Sequence, residues 1–210
     1  MTDTAMAARK TNRATERDFV WNFCRAEIES RNPEFQAGYV DRMSFDLEMK
    51  VRQGQRTTLT DDDWTGLERA LDGFRGRYAT PFLGFGMEWW SASLPVAALP
   101  ALQIANHPPL VSVARSRRLE DYVKRLDAGE GTPGDTAGER YRSVRPIFDL
   151  KRVRGLPILV AETSEGPYTI VEGLTRLSCQ TSLFLKGTPA QEVVPILLGI
   201  SPRVKNWKWY

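Results

Sequence analysis

Apolar residues recur with helical spacing over the first third of the chain and with strand character over the last. From Thr15, the residues Phe19, Val20, Phe23, Cys24 and Ile28 fall on one stripe of a helix, which Arg31-Asn32-Pro33 interrupts. Phe35, Tyr39, Met43, Leu47 and Val51 follow in steps of four, a row that drifts slowly around a second helix because a turn holds only about 3.6 residues. Thr60 with Asp63 makes a near capping box that opens a third helix, with Trp64, Leu67, Leu71 and Phe74 on its inner face and Gly76 near its end. Residues 1–13 are small, polar and aperiodic and predict a disordered tail. The first 76 residues thus read as all-helical, within a helical subdomain expected over 14–90. Its three stripes have too little area to satisfy one another, so the unit is expected to pack on the rest of the chain.

The middle is irregular. Ala79–Pro109 holds five of the 13 prolines and the run GFGMEWW, which excludes a single regular element and leaves room for a short strand near Leu94–Val96 or Leu102–Ile104. Arg117–Leu126 predicts a helix with Leu119, Tyr122, Val123 and Leu126 on one face, and the glycine-rich run 127–139 predicts a mobile loop. In the last third, LPILVAE (156–162), the turn residues TSEGP and YTIV (168–171) predict a β-hairpin. Gly173 then leads into a helix that closes at Gly187, and EVVPILLGI (192–200) is a further strand, with Pro195 suggesting a sheet edge or a strand start. The class is α+β: a helical N-terminal part followed, over 91–210, by an α/β domain with a small mixed sheet.

Composition narrows the setting. With 210 residues and 41% hydrophobic content the chain can bury a substantial core. The two cysteines, Cys24 and Cys179, lie inside helical patterns without disulfide or metal spacing and are expected to be reduced and buried. There is no signal-peptide core and no run long enough to span a bilayer, so a cytoplasmic protein without a membrane partner is expected. Net charge is +3, but residues 1–90 hold 13 Lys and Arg against 15 Asp and Glu, so the positive excess lies wholly beyond residue 90.

That basic half contains the candidate chemistry. A strand feeding through glycine into a helix presents unpaired N–H groups and a positive dipole end to an anion. Here the start is Glu172-Gly173-Leu174-Thr175-Arg176: glycine allows close backbone approach, the Thr175 hydroxyl donates, and the Arg176 fork suits two phosphate oxygens. The bland alternative is that Gly173 only makes the turn and Arg176 pairs with an acidic side chain.

The order of apolar strand, turn, strand ending in acid-Gly-x-x-Arg, helix and apolar strand, carried by YTIVEGLTRLSC and VVPILLG, resembles the ParB/sulfiredoxin superfamily over about residues 145–200. It extends towards Ser91 if LPVAALPAL is the opening strand and loop and SRRLEDYVKRL the first helix. The resemblance implies a ParB-like nucleotide-binding domain in which Gly173 and Arg176, with Leu174 and Thr175, meet nucleotide phosphates. The ligand would be a nucleoside tri- or diphosphate, with or without Mg²⁺, or another phosphorylated small molecule. Departures narrow the activity. Leu174 stands where sulfiredoxin carries its reactive cysteine, and Cys179 lies a turn too far along the helix to replace it. The charged residues that partition proteins place between glycine and arginine are missing, as is the histidine pair of the serine kinases, although Glu172 matches their acid before glycine.

Glu172 and Glu162, both at expected strand ends, are candidates for a general base or Mg²⁺ ligands, or are solvent-facing carboxylates. Arg115, Arg117 and Arg118, with Arg203 and Lys205 of the aromatic tail SPRVKNWKWY, are candidate nucleic-acid or second phosphate contacts; the tail's aromatics, like Trp89-Trp90, would serve base stacking or core packing equally well. His107 reads as a loop histidine. Three functions stay open: a phosphate- or nucleotide-binding protein with phosphotransfer or NTP hydrolysis within its reach, a non-catalytic nucleic-acid-binding or regulatory module, and a protein-interaction module with an idle pocket.

Overall fold

A computed structural model describes residues 7–29, 43–131, 136–148 and 155–210. The chain is α+β, built on a five-stranded mixed sheet in the order β1-β2-β5-β3-β4. The strands are β1 (Arg9–Arg13), β2 (Glu88–Pro95), β3 (Ile158–Ala161), β4 (Thr169–Glu172) and β5 (Val193–Ile200). All pairs are antiparallel except β3 with β5, which run parallel with Ile158 opposite Leu197. Among the described residues the α-helices longer than one turn are α1 (Glu16–Glu29), α2 (Phe45–Gln53), α3 (Asp61–Ala79), α4 (Pro108–Ala114), α5 (Leu119–Asp127), α6 (Thr136–Val144) and α7 (Leu174–Leu185).

Both sheet faces are covered, which explains why β3 reads as the unbroken apolar run ILVA. Ile158, Val160, Val171, Leu197 and Trp89 face a core built with α1, α2 and α3. Leu159, Ala161, Ile170, Ile196 and Leu198 face the opposite core with α4 to α7. The first core is anchored by Trp89, whose ring stacks on Phe19 of α1 with centroids 4.7 Å apart and planes at 17°. Gly199 is the residue opposite Trp89 on β5, and a Cβ there would fall 2.6 Å from the indole.

Many local signals act as read. Phe19, Val20, Phe23, Cys24 and Ile28 are all buried, as are Leu47, Val51, Trp64, Leu67 and Leu71. Thr60 and Asp63 cap α3 reciprocally, and Thr15 and Asp18 make a second box of the same type at α1. The hairpin β3–β4 forms, and α5 buries Leu119, Tyr122, Val123 and Leu126. Phe35 and Tyr39 lie outside the described residues, as does the side chain of Phe74.

Four expectations are corrected. The segment expected to be a disordered tail contains β1, so the first 76 residues are not all-helical. This polar strand is held by β2, by Lys10 and Arg13 stacked at 4.9 and 4.7 Å over the Trp90 ring, and by the Thr11 hydroxyl donating to Ser91 O. Next, β2 begins at Glu88, so the boundary placed at 90/91 falls inside a strand. The run 127–139 is not one loop: residues 136–139 open α6, with 132–135 outside the described residues. Finally, β5 is central and not an edge; Pro195 fits because the parallel pairing with β3 starts only opposite Leu197, beyond the proline.

On the second face one carboxylate ties three helices together. Asp127 at the end of α5 accepts from Tyr141 Oη of α6 at 2.5 Å and from Ser182 Oγ of α7 at 2.8 Å, and pairs with Arg145 at 3.2 Å and Lys186 at 2.8 Å. Burial pushes its pKa up, but the hydrogen bonds from Lys186, Tyr141 and Ser182 and the Arg145 charge outweigh that and hold it below the usual range. Among the described residues no helix is long and apolar enough to cross a membrane.

Two outcomes follow. Gly199→Ala should overpack the Trp89 slot and lower stability by about 1–3 kcal/mol in urea denaturation. Because the Asp127 pKa is depressed on folding, its contribution is present above the unfolded carboxyl pKa of about 3.9 and is lost as pH falls through the folded value. Asp127→Asn should therefore cost about 2 kcal/mol at pH 7, and the melting curves of mutant and native protein should begin to approach each other near pH 4 and converge only once pH has fallen through the folded value.

Candidate functional site

The β4–α7 junction makes the sharp turn that its sequence suggests. Gly173 is the N-cap of α7 with φ +89°, and a Cβ there would lie 2.9 Å from Pro157 Cβ and 3.1 Å from its Cα. Both the positive φ and the packing against Pro157 demand glycine. The helix begins without a side-chain cap, so its first amide groups keep their positive potential.

Arg176, in the first turn, is folded back onto the junction. Its Nη1 donates to Gly155 O at 2.8 Å and its Nη2 to Glu172 Oε2 at 2.5 Å, with the two side chains only 14% and 20% exposed. This clamp joins the entry to β3, the exit of β4 and the start of α7, and it is the acidic pairing that the bland reading describes. Arg176 also lines a cleft of about 420 Å³ between α1 and α7, together with Gly155, Leu156 and Pro157 and with Val194 and Pro195 of β5. Asn22 and Arg25 come from α1, Gln180 lies one turn beyond Arg176 on α7, and Gln191 precedes β5. Asn22 Oδ1 accepts from Leu156 N at 3.0 Å while its Nδ2 donates to Asp18 O at 2.8 Å, so it fixes Leu156 to α1. Among the described residues, the cleft is lined by two arginines and by no Asp or Glu, and the Arg25 guanidinium also lies beside Gly54 at the end of α2.

The expected contacts divide. Arg176 borders the cleft, whereas Gly173 shapes its edge, and the half-buried Leu174 and Thr175 are not part of its lining. Glu172 lies beside the cleft, bound to Arg176. Glu162 does not join it: Glu172 pairs with Ile158 at the start of β3, while Glu162 follows its far end, about 13 Å away at the usual strand rise. The carboxylate pair suggested for Mg²⁺ or base chemistry is therefore not assembled, and among the described residues no cluster of three metal-ligating side chains occurs.

Arg115, Arg117, Arg118, Arg203 and Lys205 lie away from this cleft. Arg117 is turned inward, with Nε donating to Ile104 O at 3.3 Å and the guanidinium 5.8 Å from the Tyr210 ring; burial lowers its pKa. Arg118 pairs with Glu120 at 3.2 Å, and the exposed Arg115 caps α4 in the left-handed conformation at φ 57°. Arg203 reaches Gly84 O at 3.5 Å, and Lys205 is exposed on the turn Pro202–Asn206. The tail's aromatics are packed: Trp207 is buried against Tyr78 and Phe82 and donates to Tyr78 O, and Trp209 meets the ring of His107 at 4.9 Å. Burial pushes the Cys179 thiol up to about 12, which leaves it an inert core residue at neutral pH.

Sequence reasoning missed Asn22, Arg25, Gln180 and Gln191. Gln180 carried a signal, since it lies four residues after Arg176 and so shares its helix face. Asn22 and Arg25 carried none, because they arrive from a helix about 150 residues earlier in the chain. Comparison of the chain with protein-family models, curated proteins and solved structures returns no match.

Removing Arg176 should act first on the fold. Arg176→Ala strands a mostly buried carboxylate and should cost about 3 kcal/mol in urea denaturation; a loss below about 1 kcal/mol would show that the clamp is not structural.

Proposed function

We propose that the protein binds a phosphate-bearing small molecule, a nucleotide being the ligand that the ParB/sulfiredoxin resemblance favours, in the cleft between α1 and α7. The observation that carries the reading is the lining: among the described residues, two arginines, three neutral amide side chains and no Asp or Glu, beside apolar residues and in a volume suited to a small ligand. Such a lining favours an anion over a cation or a neutral apolar molecule.

Arg25 supplies a charge from α1, and Arg176 offers its guanidinium from the opposite wall while Glu172 neutralises part of it. An entering phosphate competes with Glu172 for Arg176 and so binds more weakly than to an unpaired arginine. Glu172 is also the carboxylate placed to accept a proton from a bound nucleophile, but only once the ligand has taken over its guanidinium. Binding is thus the primary role, and phosphoryl transfer a step conditional on it.

Titration calorimetry with phosphate, pyrophosphate and ATP tests the reading. Arg25→Ala should lower affinity by about tenfold or more, from loss of a charge-assisted contact of about 1.5–3 kcal/mol; because Arg25 also packs beside Gly54 and Trp21, its melting temperature is measured alongside, and Arg25→Lys, which keeps the charge, should retain most of the affinity. Glu172→Gln should raise affinity, because the competing charge is gone. Equal binding by Arg25→Ala and native protein, or no binding of any of the three anions, would overturn it.

A further inference from the structure

One polar feature of the cleft goes beyond what holding an anion requires. Gln191 Nε2 donates to Gln180 Oε1 at 2.7 Å, so two carboxamides are joined in the lining. Gln180 is 4% exposed and Gln191 half-buried. In a pair of amides joined by one hydrogen bond, one NH2 group and one carbonyl oxygen take no part in that bond: here the Gln180 Nε2 and the Gln191 Oε1. This holds for either orientation of the amides, because exchanging oxygen and nitrogen in both reverses the bond and again leaves one of each. Charge recognition needs no such pair. A planar group with its own adjacent donor and acceptor does, and the flat apolar surfaces of Leu156, Pro157, Val194 and Pro195 border the same space.

We infer that the Gln180–Gln191 pair is the specificity-determining end of the cleft, and that the ligand joins an anionic group to a planar amide-type edge carrying one hydrogen-bond donor beside one acceptor. The inference rests on the anion reading above and adds the chemistry of the ligand's other end. Arg176 and Gln180 are one turn apart on α7, so the two ends are separated by about 6 Å plus the reach of the side chains, which suits a ligand with its phosphate and its edge-bearing ring on one short linker. A nucleobase and a simple carboxamide share this edge chemistry. Gln191 is the specificity residue that can be altered safely, because it precedes β5 in an irregular segment and reaches solvent.

The experiment compares affinities of the intact protein for ribose 5-phosphate, which has the anion and no edge, with those for adenosine and uridine 5′-monophosphates and for nicotinamide mononucleotide. Edge-bearing ligands should bind about tenfold or more tightly than ribose 5-phosphate, as expected for two added hydrogen bonds. Preference for the first two identifies a nucleobase, and preference for the third a carboxamide. Gln191→Leu should erase the preference and leave ribose 5-phosphate affinity unchanged. If Gln191→Leu also loses ribose 5-phosphate, the fold has been disturbed; Gln191→Asn, which keeps the amide but withdraws it by one methylene, then decides the same ratio. Equal affinity for all four ligands, or a preference that survives the Gln191 substitution, overturns the inference and leaves the anion reading standing. Failure of ribose 5-phosphate and pyrophosphate alike overturns both.

Discussion

The stack of Trp89 on Phe19 fixes where everything else in the protein can lie. Its 4.7 Å separation is possible because Gly199, across the strand pair, offers no Cβ to the indole. That contact seats α1 on the sheet, and α1 carries the site with it: Asn22 is one turn beyond Phe19 and Arg25 nearly one turn further. Asn22 then bonds the backbone of Leu156, so the entry to β3 is registered against the same helix. The cleft is the space left between α1 and α7 once each has been seated on its own face of the sheet.

The second constraint is local to α7. Gly173 brings the chain close against Pro157 and turns it, and Arg176 locks the turn by bridging Gly155 O and Glu172. A half-buried arginine at a helix start is costly unless its charge is matched, and Glu172 supplies the match. The same residue thus serves stability and borders the cleft. Such sharing favours a cleft wall that is ordered in advance, because Arg176, the side chain proposed to meet the anion, is already held by two hydrogen bonds.

The helical stripes, the capping box at Thr60, the hairpin and the glycine turn were legible because each is written within one or two turns of chain. β1 was not, since Arg9, Lys10 and Arg13 have no strand pattern of their own and depend on Trp90 of a distant strand. α6 was lost because glycines before it make the segment read as loop, while Tyr141 is held there by Asp127 of the preceding helix. Pro195 misled because the rule against proline in a central strand concerns its missing N–H, and that position precedes the parallel pairing. At the site, Gly173 and Arg176 could be found from sequence. Their partners on α1 could not, because no spacing in a single chain reports which helix will face which.

What the geometry asks of a ligand follows from the balance of charge at the cleft. Arg176 is already paired, so an anion gains its contact only by displacing or sharing Glu172, and much of the electrostatic attraction is spent in that exchange. Arg25, half-buried on α1, also packs beside Gly54 and Trp21, so its charge is not held for the cleft alone. Charge alone therefore gives modest affinity and poor discrimination among anions. Selectivity has to come from groups whose satisfaction depends on shape, and on the proposed reading the glutamine pair is such a group, because an unused donor and an unused acceptor together disfavour ligands that match only one of them. The cleft is therefore better suited to a ligand recognised at both ends than to a free inorganic anion.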